Sequence, residues 1–245
     1  MPTAILSALA EEQHGLIDHL QDARREQRAG REFWLGTLHG QPVVLALSRI
    51  GKVAAATTAT TLIEAFGAQR VLFTGVAGGL GAGVNVGDVV VAEDFVQHDM
   101  DASPLFPRFE VPLYGRARFA CDAALTRLLL QASERGVHRI APQARVHHGL
   151  IASGDRFVSG SDEARALALG LEQGGHPTLA VEMEGAAVAQ VCHDYGVPFV
   201  AMRTISDRAD DTAHVDFPQF VRDVARHYAL AIVNEFVASL KQSPA

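Results

Sequence analysis

Apolar positions along this chain follow two patterns. Short apolar runs bounded by glycine, proline or charge read as buried strands: Thr3 to Leu9, Arg70 to Thr74, Asp88 to Phe95, Arg145 to Ala152, Thr178 to Val181 and Pro198 to Ile205. Longer stretches read as helices. Glu11 to Leu20 places Leu16, Ile17 and Leu20 on one face. Lys52 to Phe66 is rich in Ala, Thr and Leu and ends at Gly67. Asp122 to Arg135, Asp162 to Leu171, Gly185 to Asp194 and a long closing stretch, Phe217 to Leu240, complete the helical set. Phe33 to Leu38 and Pro42 to Leu47 read as a hairpin across His39-Gly40. Asp99 to Gly115 holds Pro104, Pro107 and Pro112 with Phe106 and Phe109, so it reads as an unusually apolar loop.

Strands and helices alternate, and several strands are apolar on both faces. Such strands need cover on two sides. The expected fold is α/β: a single-domain three-layer α/β/α sandwich with a mixed central sheet, spanning residues 1–245. Polar clusters sit where strands end: Glu11-Glu12, the glycine run from Gly75 to Gly83, Ser153-Gly154-Asp155, Glu182-Met183-Glu184 and Ser206-Asp207. In sheets of this kind, ligands bind at those ends.

Composition narrows the function class. Hydrophobic residues make up 48% and charged residues 20%, enough apolar surface to offset chain entropy. A formal net charge of −7, with no long Lys or Arg run, disfavours a nucleic-acid partner. No run of ~18 apolar residues suggests a membrane span, and Met1 to Glu11 lacks the basic start of a signal peptide. Two cysteines, Cys121 and Cys192, exclude a disulfide scaffold and make the cytoplasm the default location.

Each candidate site residue also has a plain structural reading. The glycine run contains no G-x-G-x-x-G and leads into a strand, so it is not a dinucleotide fingerprint. It suits either close backbone approach to a ligand or a turn-rich connection. Glu184 could bind sugar hydroxyls or simply favour a helix N-terminus, and Glu12 could likewise be a first-turn acid. Asp207 could be a turn former. His147-His148 lacks spaced acidic or Cys partners, so no metal site is expected.

The motifs taken jointly resemble the purine nucleoside phosphorylase and nucleosidase superfamily. Within it, the chain is similar to the bacterial 5′-methylthioadenosine/S-adenosylhomocysteine nucleosidases. The motifs run in the same order through almost the whole chain. They include Ala8-Leu9-Ala10-Glu11-Glu12, Gly51-Lys52-Val53, Thr74-Gly75-Val76-Ala77-Gly78-Gly79 and His98-Asp99-Met100-Asp101. They continue through Ser153-Gly154-Asp155-Arg156-Phe157, Val181-Glu182-Met183-Glu184-Gly185 and Arg203-Thr204-Ile205-Ser206-Asp207.

The resemblance implies hydrolysis of the N-glycosidic bond of a 5′-substituted adenine nucleoside, without metal or organic cofactor. It assigns Asp207 to protonation of purine N7 and Glu12 to activation of water. Glu184 would bind the ribose hydroxyls. Ala77, Gly78, Phe157, Val158, Glu182, Met183 and Ser206 would hold purine and sugar. It also implies a homodimer in which a neighbour's loop closes the 5′ pocket, the matching region here being Leu105 to Leu113.

Three departures stand out: Val76 where the family often has Ser, Ala10 where it has an acid, and extra prolines with Arg108 in the 5′ loop. Competing expectations are a phosphate-dependent phosphorylase, for which Arg49 is a candidate anion ligand, and a storage-type relative without activity. A nucleosidase for another adenine nucleoside, of the aminofutalosine type, is a third.

Overall fold

The computed structural model describes residues 2–209, 220 and 224–240. Its strands are β1 (Thr3–Ser7), β2 (Gln21–Arg28), β3 (Arg31–Leu38), β4 (Gln41–Leu47), β5 (Arg70–Thr74), β6 (Val76–Gly79), β7 (Val89–Gln97), β8 (Arg118–Ala120), β9 (Val146–Ser153), β10 (Thr178–Glu182) and β11 (Phe199–Asp207). Its helices are α1 (Ala10–Ile17), α2 (Lys52–Phe66), α3 (Ala123–Ile140), α4 (Ser161–Gln173), α5 (Gly185–Tyr195) and α6 (Arg226–Ser239).

The strands form one mixed sheet in the order β2-β3-β4-β1-β5-β11-β6-β10-β9-β7-β8. Strand β11 is the pivot. Its first residues, Phe199 to Ala201, pair with β5, and Thr204 to Asp207 pair with β6. Met202 to Thr204 also pair with β7, which closes β11, β6, β10, β9 and β7 into a ring.

Alternation along the central strands explains the layers. In β1, Ala4 and Leu6 join one core while Ile5 joins the other; in β5, Val71 and Phe73 face opposite to Leu72. The first core includes Ala55, Ala59 and Leu62 of α2 with Ala186, Val188 and Cys192 of α5. The second includes Leu16 of α1, Leu129 and Ala132 of α3, and Ile232, Val233 and Phe236 of α6. Helices therefore cover both faces, the three-layer arrangement expected from the sequence.

The hairpin is also found. Leu38 pairs with Gln41, and His39 and Gly40 between them both have positive φ (50° and 71°), the conformation a two-residue type I′ connection needs.

Several details differ from the expectations, the unanticipated short strand β8 among them. Strand β2 was not anticipated: its sequence is polar but for Ala23 and it lies exposed at the sheet edge, where charge discourages pairing with other chains. The stretch Glu11 to Leu20 stops being helical at Ile17, and the Asp122 helix extends to Ile140. The start of the glycine run is a strand, β6. Of the expected closing helix, residues 217–219 and 221–223 lie outside the described residues, and α6 covers Arg226–Ser239.

Candidate active site

Strand β6 lies between β10 and β11, so Val181 and Asp207 flank Gly78 from its two sides. A Cβ on Gly78 would sit 2.9 Å from Ala209 Cβ and 3.0 Å from Asp207 Oδ1, so a larger residue would push the acid aside. A cavity of about 410 Å³ opens here. Ala77, Gly78, Ser206 and Asp207 form one part of its wall, and Val181, Glu182, Met183 and Glu184 another. Phe157, Val158, Arg156 and Ile50 contribute the rest with Ala8, Leu9 and Val76. Every substrate-binding residue expected from the sequence thus lines one cavity.

Asp207 ends β11 and is buried. Its Oδ2 accepts the Ser206 hydroxyl at 2.7 Å, and its Oδ1 accepts the Ala209 N–H at 2.7 Å. The two donors fix the plane of the carboxyl group. Ser206 therefore acts on the acid beside it, and its hydroxyl also lies 3.4 Å from the Ala77 carbonyl.

Glu184 starts α5. Its Oε1 accepts the Gly51 N–H at 2.8 Å, which ties the turn before α2 to the cavity wall. Burial, reinforced by the charge of Glu182, pushes the Glu184 carboxyl up to about 7.

Glu12 does not line the cavity, but it is hydrogen-bonded to Ala8 and Leu9, which do. Glu12 Oε2 reaches back to the N–H groups of Ala8 and Leu9, both at 3.1 Å, as an acid in the first helical turn does. Its two oxygens differ. Oε1 is buried and has no hydrogen-bond partner among the described residues. Burial pushes Glu12 up to about 7, and the two N–H bonds and the Arg203 charge only partly oppose it.

Sequence reasoning quoted two further residues within motifs but gave neither a role. Arg203 lies in the fully buried strand β11 and pairs with Glu182 at 2.6 Å. An Arg inside an otherwise apolar run signals such a pair, since a buried guanidinium must be matched. Ser153, at the end of β9, donates its hydroxyl to Glu182 and accepts the Ala186 N–H at 2.7 Å. Arg49, the candidate phosphate ligand, does not line the cavity and donates to the Gly30 carbonyl.

The model of the phosphorylase superfamily matches residues 2–238. A 5′-methylthioadenosine/S-adenosylhomocysteine nucleosidase of Bacillus thuringiensis is 40% identical over 237 residues, which is 95% of this chain and 97% of the relative. The chain belongs to this family of nucleosidases. The same enzyme of Neisseria meningitidis, solved with methylthio-immucillin-A, matches with a TM-score of 0.87 at 36% identity, covering 97% of this chain and 99% of the other. That of Colwellia psychrerythraea, solved with adenine, matches with a TM-score of 0.88 at 32% identity, covering 98% and 96%.

Proposed function

We propose that residues 1–245 work as one catalytic unit that hydrolyses the N-glycosidic bond of 5′-methylthioadenosine and S-adenosylhomocysteine, releasing adenine and the 5-substituted ribose. The observation that carries this reading is the meeting of Asp207 and Glu184 at one cavity of about 410 Å³, with Glu12 hydrogen-bonded to Ala8 and Leu9 of its wall. Bond cleavage builds positive charge on the ribose and negative charge on the purine. Asp207, held by Ser206 and Ala209, delivers a proton to the purine. Glu184 accepts hydrogen bonds from the ribose hydroxyls. Glu12 Oε1 takes the proton of the attacking water. A base with a pKa near 7 suits that task at neutral pH.

Water, not phosphate, fits as the nucleophile. Val76 supplies no hydroxyl to the cavity wall, and Arg49 is held at Gly30. At an effective dielectric of ~20, a phosphate charge ~4 Å from a carboxylate is repelled by about 4 kcal/mol. Cleavage in oxygen-18 water should label ribose C1 and proceed at the same rate with or without phosphate. A ribose 1-phosphate product with phosphate-dependent turnover would assign the chain to the phosphorylases instead.

The protein is further proposed to act as a homodimer in the cytoplasm. Among the described residues, no helix is long and apolar enough to cross a membrane. The loop between β7 and β8 divides its apolar residues. Phe109 and Val111 pack inside their own subunit, while Leu105 and Leu113 are 85% and 92% exposed. Exposed apolar side chains also continue from the cavity mouth, at Ile50 and Val53. Surfaces of this kind favour a protein partner. Sedimentation at micromolar concentration should give twice the chain mass of 26.2 kDa. A fully active monomer would refute the dimer and leave the chemistry untouched.

A further inference from the structure

Glu182 lines the cavity, and the family resemblance counts it among the residues that hold substrate. Its oxygens are already committed. Oε1 accepts the Ser153 hydroxyl and the Gly185 N–H at 2.9 Å. Oε2 accepts the Glu184 N–H at 3.1 Å, the Gly185 N–H at 2.8 Å and Arg203 Nη2 at 2.6 Å. An ionised carboxylate offers about four lone-pair sites. These contacts fill them, so no acceptor capacity remains for a sugar hydroxyl.

Arg203 is held at both terminal nitrogens, its Nη2 by Glu182. Its Nη1 donates to the carbonyls of Met202 at 3.0 Å and Phe73 at 3.3 Å, and its guanidinium lies 4.1 Å from the centre of the Phe73 ring. The Arg203 and Glu182 side chains are 1% and 2% exposed. Around this pair stand the other ionisable groups of the site: Glu12 with Glu11 on α1, Glu184 at the start of α5, Asp207 at the end of β11, and His98 after β7. The charge of Arg203 reaches both Glu12 and Glu184, yet its direct ion pair is with neither.

We propose that Glu182 is a positioning residue that never touches the nucleoside: it occupies Arg203 and ties down the first turn of α5, so that Glu12 and Glu184 enter the reaction without a cation bound to either. This rests on the nucleosidase reading of the site. Without Glu182, the guanidinium is released beside two buried carboxylates. It would pair with one of them and hold it ionised, which weakens a base that must take a proton.

Glu182→Gln should move the acid limb of the kcat/KM profile for 5′-methylthioadenosine down by about one pH unit or more, because a carboxylate ion-paired to Arg is shifted by that much. Carbon-13 NMR titration of labelled glutamate side chains in the free protein should show the same fall. That readout needs no turnover, so it tests the proposal even if the wild-type protein cleaves no adenine nucleoside, the result that would instead refute the nucleosidase reading. Glu182→Asp, which keeps the charge, should stay near the wild-type limb.

The double variant Glu182→Gln with Arg203→Met removes both charges together, and replacing a buried pair whole is far better tolerated than breaking it. With no guanidinium left to be captured, its limb should return toward the wild-type position. Should the single variant fail to fold, the double variant still decides. A limb displaced downward in the double variant would mean that Glu182 acts only through its own charge on Glu184. A single variant whose limb and titration are unmoved would reduce Glu182 to a helix cap. Equal kcat/KM for the ribose and 2′-deoxy substrates, lost selectivity without any limb shift, would show that Glu182 binds the sugar after all. Each of these three results overturns the proposal.

Discussion

Asp207→Asn should fold, bind 5′-methylthioadenosine and lose about 10²- to 10⁴-fold in kcat, the usual worth of a general acid. The substitution preserves shape where shape is restrictive. Asp207 is buried, and a Cβ on Gly78 would lie only 3.0 Å from its Oδ1. An Asn carbonyl can still accept the Ala209 N–H or the Ser206 hydroxyl, each of which now lies 2.7 Å from the carboxylate. What the amide lacks is a proton that it can give up. It can donate a hydrogen bond to the purine, but the leaving base would still depart as an anion. The loss should therefore fall on kcat, with KM changed little, because ground-state contacts survive. Nucleosides whose base leaves readily without protonation should be affected least. A purified Asp207→Asn protein with near-wild-type turnover would remove Asp207 from the acid role.

The layers were legible in the sequence because burial imposes a period. In β1, β5 and β11, alternate residues enter opposite cores, and those that do so are apolar because both faces are covered. Strand β2 carried no such signal. Gln21 to Arg28 bury almost nothing, so only pairing to β3 makes this stretch a strand, and pairing leaves no mark on composition. Strand β6 was hidden for a related reason: Gly78 and Gly79 are small because neighbours crowd them, and glycine is otherwise a sign of turns.

The site was legible as a set of acids at strand ends, but their division of labour was not. Glu182 and Glu184 stand two residues apart and look alike in sequence. One faces Ser153 and Arg203, the other Gly51, and those partners come from β9, β11 and the turn before α2. Only the folded chain brings them together. Arg203 was part of a quoted motif without a role, since a lone cation in an apolar strand shows that a partner exists but not which.

Glu12→Gln should give a protein that is nearly inactive and, at high pH, more stable than the wild type. The activity loss follows from the base: a neutral amide cannot take the proton of the attacking water, and about 10²- to 10⁴-fold is at stake. The stability gain follows from the sign of the shift. Burial raises Glu12 from 4.5 in the unfolded chain to about 7 in the folded protein. The folded state therefore binds the extra proton between these values. The stability that this contributes is fully present below about pH 4.5 and is lost as pH rises through about 7. Above that, the wild type holds a buried charge at a cost on the order of 3 kcal/mol, at 1.36 kcal/mol per unit. Glutamine carries no charge to bury, and its carbonyl can keep the Ala8 and Leu9 N–H bonds. Its NH₂ group takes the place of Oε1, which has no partner among the described residues, and an unmatched donor costs about 1–3 kcal/mol. The net gain at pH 8 should be about 0–2 kcal/mol, or up to a few degrees in melting temperature for a chain of this size. At pH 5 it should vanish or reverse, because the wild-type carboxyl is then protonated as well. Melting curves of both proteins across that range would test the argument, and a Glu12→Gln protein less stable than wild type at every pH would show that Glu12 is not a carboxyl strained by burial.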